Sequence, residues 1–265
     1  MADSWVPARE WCTLQSEGRT PLIALLVGLG WGLWFPPARA VTPEALTARL
    51  AEIEQDRALR ITQAPRPNEA DLRKAAGGAV VTGLLDSSSG SRAYGLAVVP
   101  LSIGLFWSAL NDETRQPGYT AIAYSELLSG RACASGRRVL QYLPVPMLSD
   151  RWWIGVLTKN AKLMQASGGA VRELSWASSV DVAEITTESG KKIIGEAEPI
   201  GFTKGAWFLV ALSEADTYVE YYLHTDPGGS ISPGMASMFA TKGVRDTIAA
   251  IQRFAKEAHP ACPIE

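Results

Sequence analysis

Between Ala79 and Thr225 the chain is written in short, apolar-rich segments of strand length, and from Val244 to Ala255 it closes on one amphipathic helix. That order constrains the fold more than any other feature. Ala79–Leu85 and Arg92–Val99 flank Asp86-Ser87-Ser88-Ser89-Gly90, a hairpin signal. Tyr119–Leu128 and Arg138–Val145 predict a second pair, and Trp152–Leu157, Val171–Ser178, Lys192–Glu198, Ala206–Leu212 and Tyr218–Thr225 continue the series. Connections as short as Thr187-Glu188-Ser189-Gly190 and Ser213-Glu214-Ala215-Asp216 suit antiparallel hairpins, because parallel neighbours need long crossovers. Strands first and a long helix last make an α+β plan in which one curved sheet wraps a helix.

Helical signals frame and punctuate the strands. Thr42-Pro43-Glu44 offers an N-cap, a proline at the first helical position and an acid at the positive end of the dipole. Leu46, Leu50 and Ile53 then mark one apolar face, and Ala64-Pro65-Arg66-Pro67 ends the segment. Asn68–Lys74 predicts a second short helix, and Pro100–Asn111 a third with Ile103, Trp107 and Leu110 on one face. Beyond Asp226-Pro227-Gly228-Gly229, Pro233–Ala240 predicts a short helical stretch that Gly243 interrupts. Val244, Ile248, Ile251 and Ala255 then line the terminal helix.

The front of the chain has a different texture. Pro21–Phe35 is an unbroken apolar run, followed by Pro36-Pro37-Ala38-Arg39-Ala40, which has the order of a secretory signal with cleavage after Ala40. The competing readings are a buried helix of the domain and a retained membrane anchor, although the run is short against the ~20 residues that span a bilayer. Export predicts a periplasmic or secreted protein. The predicted division is a leader over 1–40, a helical segment over 41–76, the main domain over 77–258 and a tail over 259–265. Loss of Cys12 with the leader would leave Cys133 and Cys262, which either pair in an oxidising compartment or remain two separate thiols.

Composition narrows the chemistry. With 25 Lys+Arg against 27 Asp+Glu there is no clustered positive excess of the kind nucleic acid requires. Three Cys and two His are too few for a zinc cluster, and neither a phosphate-cradling glycine loop nor a G-x-S-x-G elbow occurs. No cofactor is expected. Strand alternation sets Tyr218, Glu220, Tyr222 and His224 on one face and Val219, Tyr221 and Leu223 on the other. The first set suits either an amphipathic ligand's pocket or an ordinary half-exposed strand. Glu220, Tyr222 and His224 could also serve as an acid/base set for an aldol cyclisation.

Three stretches resemble a known family. Leu143–Trp153 (LPVPMLSDRWW) is similar to the Pro-x-Pro and Arg-aromatic segment of START-related lipid-binding domains. Ala206–Thr225 is similar to the family's paired late strands, and Asp226-Pro227-Gly228-Gly229 with Ile231 and Pro233 to its approach to the last helix. The resemblance covers roughly Val80–Lys256. It implies the helix-grip fold: a curved antiparallel sheet around a long C-terminal helix, with an internal hydrophobic cavity that holds one lipid, such as a sterol, phospholipid or carotenoid. It implies that Arg151 reaches the cavity, with Glu126 the nearby candidate for a partnering acid. The expected ligand-binding residues are Arg151, Trp153, Trp176, Trp207, Tyr222 and His224, with Met235, Met238 and Phe239 at a gate spanning Thr225–Gly243. Trp152 and Phe208 are further candidate walls. The expectation is a monomeric lipid carrier with transient membrane contact; the alternatives are a polyketide cyclase-like enzyme on the same fold and a ligand-sensing partner protein.

Overall fold

The first described helix begins where the capping signal puts it. In a computed structural model describing residues 41–85, 91–228 and 233–264, the Thr42 side chain accepts a hydrogen bond from the Ala45 amide and opens α1 (Pro43–Glu52). The apolar run over 21–35 and the cleavage point after Ala40 lie outside the described residues. A short α2 (Glu54–Arg57) follows, then α3 (Glu69–Ala76), capped by the Asn68 side chain.

The hairpin β1 (Val81–Leu85) and β2 (Ser91–Val99) leads to α4 (Ile103–Leu110), which Ser102 caps. The next strands are β3 (Tyr124–Ser129), β4 (Arg137–Leu143) and β5 (Arg151–Lys159). After α5 (Ala161–Ala166), the chain forms β6 (Val171–Ser179), α6 (Glu188–Ile194) and the two-residue β7 (Glu198–Pro199). The long hairpin β8 (Phe202–Ala211) and β9 (Thr217–Asp226) precedes α7 (Pro233–Glu257). These strands make one sheet in the order β1-β2-β9-β8-β6-β5-β4-β3, antiparallel along that path, with β7 pairing parallel to β5. The curved sheet around a C-terminal helix is the predicted α+β architecture.

Two predicted elements differ. The strand expected over Lys192–Glu198 is instead the last turn of α6, a turn over 195–197 and the first residue of β7; α6 forms because the Thr187 hydroxyl accepts from the Gly190 amide, Glu188 sits in the first turn and Lys191 and Lys192 in the last. Gly243 does not interrupt the terminal helix, which runs unbroken for 25 residues. A helical glycine costs only about 1 kcal/mol, less than the packing of the turns around it returns.

The sheet buries both faces. On the inner face, Ala93, Ala97, Val139, Leu157, Leu209 and Val219 pack with α4 and with Val244, Ile248, Ile251 and Phe254 of α7. Gly95 permits this approach, since a Cβ there would collide with Val244 and Ile248. On the outer face, Leu46, Ile53, Leu72 and Ala75 of the N-terminal helices cover Leu96, Phe208, Val210 and Tyr218. A third cluster, Leu140, Trp152, Ile154 and Ile185, joins β4 and β5 to the segment that includes α6.

Buried charges fasten the N-terminal helices to the outer face. Glu220, fully buried, accepts hydrogen bonds from Arg57 at 2.7 and 2.8 Å and from Arg60 at 2.8 Å. Glu173, also fully buried, accepts from the Ile61 and Thr62 amides and from the Asn160 side chain. At the other end of the chain, Cys133 and Cys262 form a disulfide with their Cα atoms 5.5 Å apart, which resolves the two readings of the pair. Arg115 donates to the Ala258 and His259 carbonyls and Asp112 accepts from the Ala261 amide, so the tail after α7 is anchored.

Candidate functional site

Register fixes which side chains share the inner face. Trp176 of β6 lies opposite Gly205 of β8, and Trp207 lies opposite Tyr221 of β9. The Trp207 and Tyr221 rings stack with centroids 3.9 Å apart and 8° between planes; Trp176 meets Tyr221 at 5.6 Å, and Phe106 of α4 meets Trp207 edge-on at 6.0 Å. Gly205 makes room for this ladder, because a Cβ there would occupy the space of the Trp176 ring. Along β3, β4 and β5 the same face carries a row of Ser125, Gln141 and Trp153.

The polar tips on this face set its chemistry. Tyr221 is 9% exposed, and its hydroxyl has no hydrogen-bond partner among the described residues. Burial pushes its phenol well above the ordinary tyrosine range, so it stays a neutral donor. The Ser125 hydroxyl is buried and likewise lacks a partner. A buried hydroxyl without a hydrogen bond costs about 1–3 kcal/mol. Flat aromatic walls with a few donor tips match an amphipathic ligand with a large apolar body.

The sequence-predicted residues divide between the two faces. Trp153, Trp176 and Trp207 share the inner face. Tyr222 and His224 do not: alternation along β9 sets them with Glu220 on the outer face. There the Tyr222 hydroxyl donates to the Pro65 carbonyl at 3.1 Å, and the His224 ring meets Phe202 edge-on at 4.8 Å. Trp152 and Phe208 also face outward, Phe208 beneath the Arg57 and Arg60 guanidinium groups. The mixed-polarity face of β9 is thus the one that receives the N-terminal arginines, and the plainer set Val219, Tyr221 and Leu223 faces α7. Met235, Met238 and Phe239 belong to the first turns of α7, and their side chains lie outside the described part of the structure.

Arg151 is 3% exposed and bonds to the chain itself. Nε donates to the Pro227 carbonyl at 2.7 Å and Nη1 to the Ser149 carbonyl at 2.6 Å, while Nη2 reaches the Gly228 carbonyl at 3.4 Å and Glu198 at 3.3 Å. Its partnering acid is therefore Glu198. Glu126 instead accepts from the Tyr124 and Thr187 hydroxyls on the outer face. The guanidinium clamps the turn between β9 and α7.

Tyr221, Gln141 and Ser125 were not singled out by sequence reasoning. The signal for Tyr221 was alternation, once the odd-numbered face of β9 is matched to Trp207 and Leu209 of β8. Ser125 and Gln141 carry no distinguishing signal without the register.

No protein-family model and no curated protein sequence matches the chain. Solved structures do match. The STAR-related lipid transfer protein (fragment 25–204) of Xanthomonas axonopodis aligns with a TM-score of 0.55 and 17% identity over 68% of this chain and 99% of that one. Human StAR-related lipid transfer protein 5 aligns with a TM-score of 0.52 and 14% identity over 82% of this chain and 98% of that one. Human STARD10 gives 0.52 and 11% over 76% of this chain and 85% of that one. The fold of this chain is the START-like helix grip.

Proposed function

We propose that the chain binds one lipid, a sterol or a molecule of similar shape, between the inner face of the sheet and α7, and shields it from water during transfer. The observation that carries this reading is the Trp176–Tyr221–Trp207 ladder with a neutral, unpartnered Tyr221 hydroxyl beside it. Burying several hundred Å² of apolar ligand at ~25 cal/mol per Å² leaves several kcal/mol after the costs of association. The START-like fold of lipid-transfer structures supports the same ligand class. A cyclase reading would rest on Glu220, Tyr222 and His224, whose place on the outer face, with Glu220 and Tyr222 bonded to the N-terminal segment, leads us to prefer the carrier. We further infer an exported, monomeric protein that touches membranes transiently; the Cys133–Cys262 disulfide supports an oxidising compartment.

The test is native mass spectrometry of the purified protein, followed by extraction and lipid analysis. A single unmodified lipid at one per chain is expected. Trp207→Ala should reduce loading severely, and Tyr221→Phe should weaken a hydroxylated sterol by about 1 kcal/mol while leaving its hydrocarbon analogue unchanged. Turnover of a polyketide-like ligand that is lost in His224→Ala would replace the carrier with the enzyme. N-terminal sequencing of the protein from its native envelope should begin at or near Val41.

A further inference from the structure

The charges on the inner face are already engaged. Strand alternation sends Arg137, Arg151, Lys159 and Arg172 to that face. Arg137 donates to Glu113, just after α4, at 3.0 Å and to the Asn111 side chain at 3.1 Å. Arg151 is paired with Glu198 and clasped to backbone carbonyls. Lys159 and Arg172 lie over the Trp107 ring of α4, 5.5 and 5.8 Å from its centroid, and Arg172 also donates to the Gly169 carbonyl. Alternation turns Glu126, Glu173, Glu220 and Asp226 outward.

The row of Ser125, Gln141 and Trp153 is polar but uncharged. It stands one step along the strands from Leu127 and Val139, where the inner core begins. The Ser125 hydroxyl is buried without a hydrogen-bond partner, and the Gln141 side chain makes no hydrogen bond among the described residues. Gln141 Oε1 lies beside Gly155 of β5, 3.7 Å from the position a Cβ would take there. Trp153 is only 8% exposed, yet among the described residues it belongs to none of the three apolar clusters. A buried ring and two unused polar groups therefore share one row of the face that the core does not fill.

We propose that the ligand is an uncharged lipid and that Ser125 and Gln141 read its hydroxyl or carbonyl oxygen. The inference rests on the carrier reading and narrows it, because it excludes phospholipids and other charged amphiphiles. A hydroxyl and an amide can each give and take a hydrogen bond, which suits an uncharged oxygen joined to an apolar body that packs on Trp153. A phosphate or sulfate would instead be buried where the basic groups already have partners, and a buried charge without a counter-ion is penalised far more than a buried hydroxyl. Tyr221 lies on β9, five strands from β3 in the sheet, and so meets a different part of the ligand.

Equilibrium binding of probes that share one carbon skeleton separates the head from the body: cholestane, cholesterol, a cholesterol diol with a hydroxyl at each end, and cholesteryl sulfate. The parent should bind the diol about tenfold tighter than cholesterol, and cholesteryl sulfate about tenfold or more weaker than cholesterol. Ser125→Ala/Gln141→Leu should cut the diol's advantage over cholesterol to about twofold or less. Gln141→Lys, which sets a cation in the row, should reverse the order of cholesterol and cholesteryl sulfate. Melting without ligand separates a changed site from a changed fold: Ser125→Ala should melt no lower than the parent, since it removes a buried hydroxyl that has no partner. A diol advantage that persists in the double variant overturns the inference and leaves the carrier reading standing. So does cholesteryl sulfate bound by the parent as tightly as cholesterol, or still rejected by a folded Gln141→Lys. A parent that binds none of the probes, cholestane included, overturns the carrier reading and this inference with it.

Discussion

Arg151 shows how a residue with a family resemblance can serve a different purpose in its own structure. Its guanidinium is bonded to the carbonyls of Ser149, Pro227 and Gly228 and to Glu198, so a ligand oxygen would have to displace one of these. Charge-assisted hydrogen bonds are worth about 1.5–3 kcal/mol each when a partner is removed. Arg151→Met should therefore destabilise the turn into α7, read as faster amide exchange at Gly228. The preference for a hydroxylated sterol over its hydrocarbon should be unchanged. A changed preference with unchanged exchange would return Arg151 to the ligand. Tyr221 is the converse case: nothing in its sequence neighbourhood marks it, and only the register with Trp207 shows that its hydroxyl is the polar tip of the inner face.

Among the elements, the hairpin of β1 and β2, the pairing of β8 with β9 and the cap of α1 were legible because each is set by local signals: alternation, turn residues and a capping side chain. What local signals could not decide was which face of β9 is the inner one. Both faces carry tyrosines, and the choice depends on Arg57 and Arg60, more than 150 residues upstream of Glu220. That contact has a measurable cost when broken. Glu220→Gln would leave two buried arginines short of charge, and breaking a buried pair from one side costs about 3–5 kcal/mol. Urea unfolding should show that loss; a change below about 1 kcal/mol would mean that solvent reaches the arginines. A weaker pair, Arg138 with Glu184, sets an acid limb. The Arg138 hydrogen bonds hold the Glu184 carboxyl below the usual carboxylate range. Its stabilisation is in place above that range and is lost as pH falls through the lowered value. Glu184→Gln should flatten this limb, by under about 1 kcal/mol for a partly exposed pair.

For the whole molecule, the decisive asymmetry is along α7. Its C-terminal half is fixed three ways: Val244, Ile248, Ile251 and Phe254 sit in the inner core, Arg115 holds the Ala258 and His259 carbonyls, and the disulfide ties Cys262 to the loop before β4. Its N-terminal end follows the Pro227–Gly228 turn, where Gly228 takes a positive φ of 68° and Arg151 provides the clasp. A ligand entering between the sheet and α7 must pass one end of the helix, and the anchored end is the costlier to move. We propose the gate expected over Thr225–Gly243 in a narrower form, as rotation of the N-terminal end of a continuous α7. Hydrogen exchange should be faster at Gly234–Ala240 than at Ile248–Phe254 without lipid, and lipid should slow the first segment while leaving the second unchanged. The disulfide supplies the control. Cys133→Ser/Cys262→Ser should lose about 2–5 kcal/mol of global stability and raise exchange first at the C-terminal end of α7. If lipid instead protects Ile248–Phe254 and leaves Gly234–Ala240 unaffected, the ligand enters past the disulfide end and the hinge at Pro227–Gly228 is not the door.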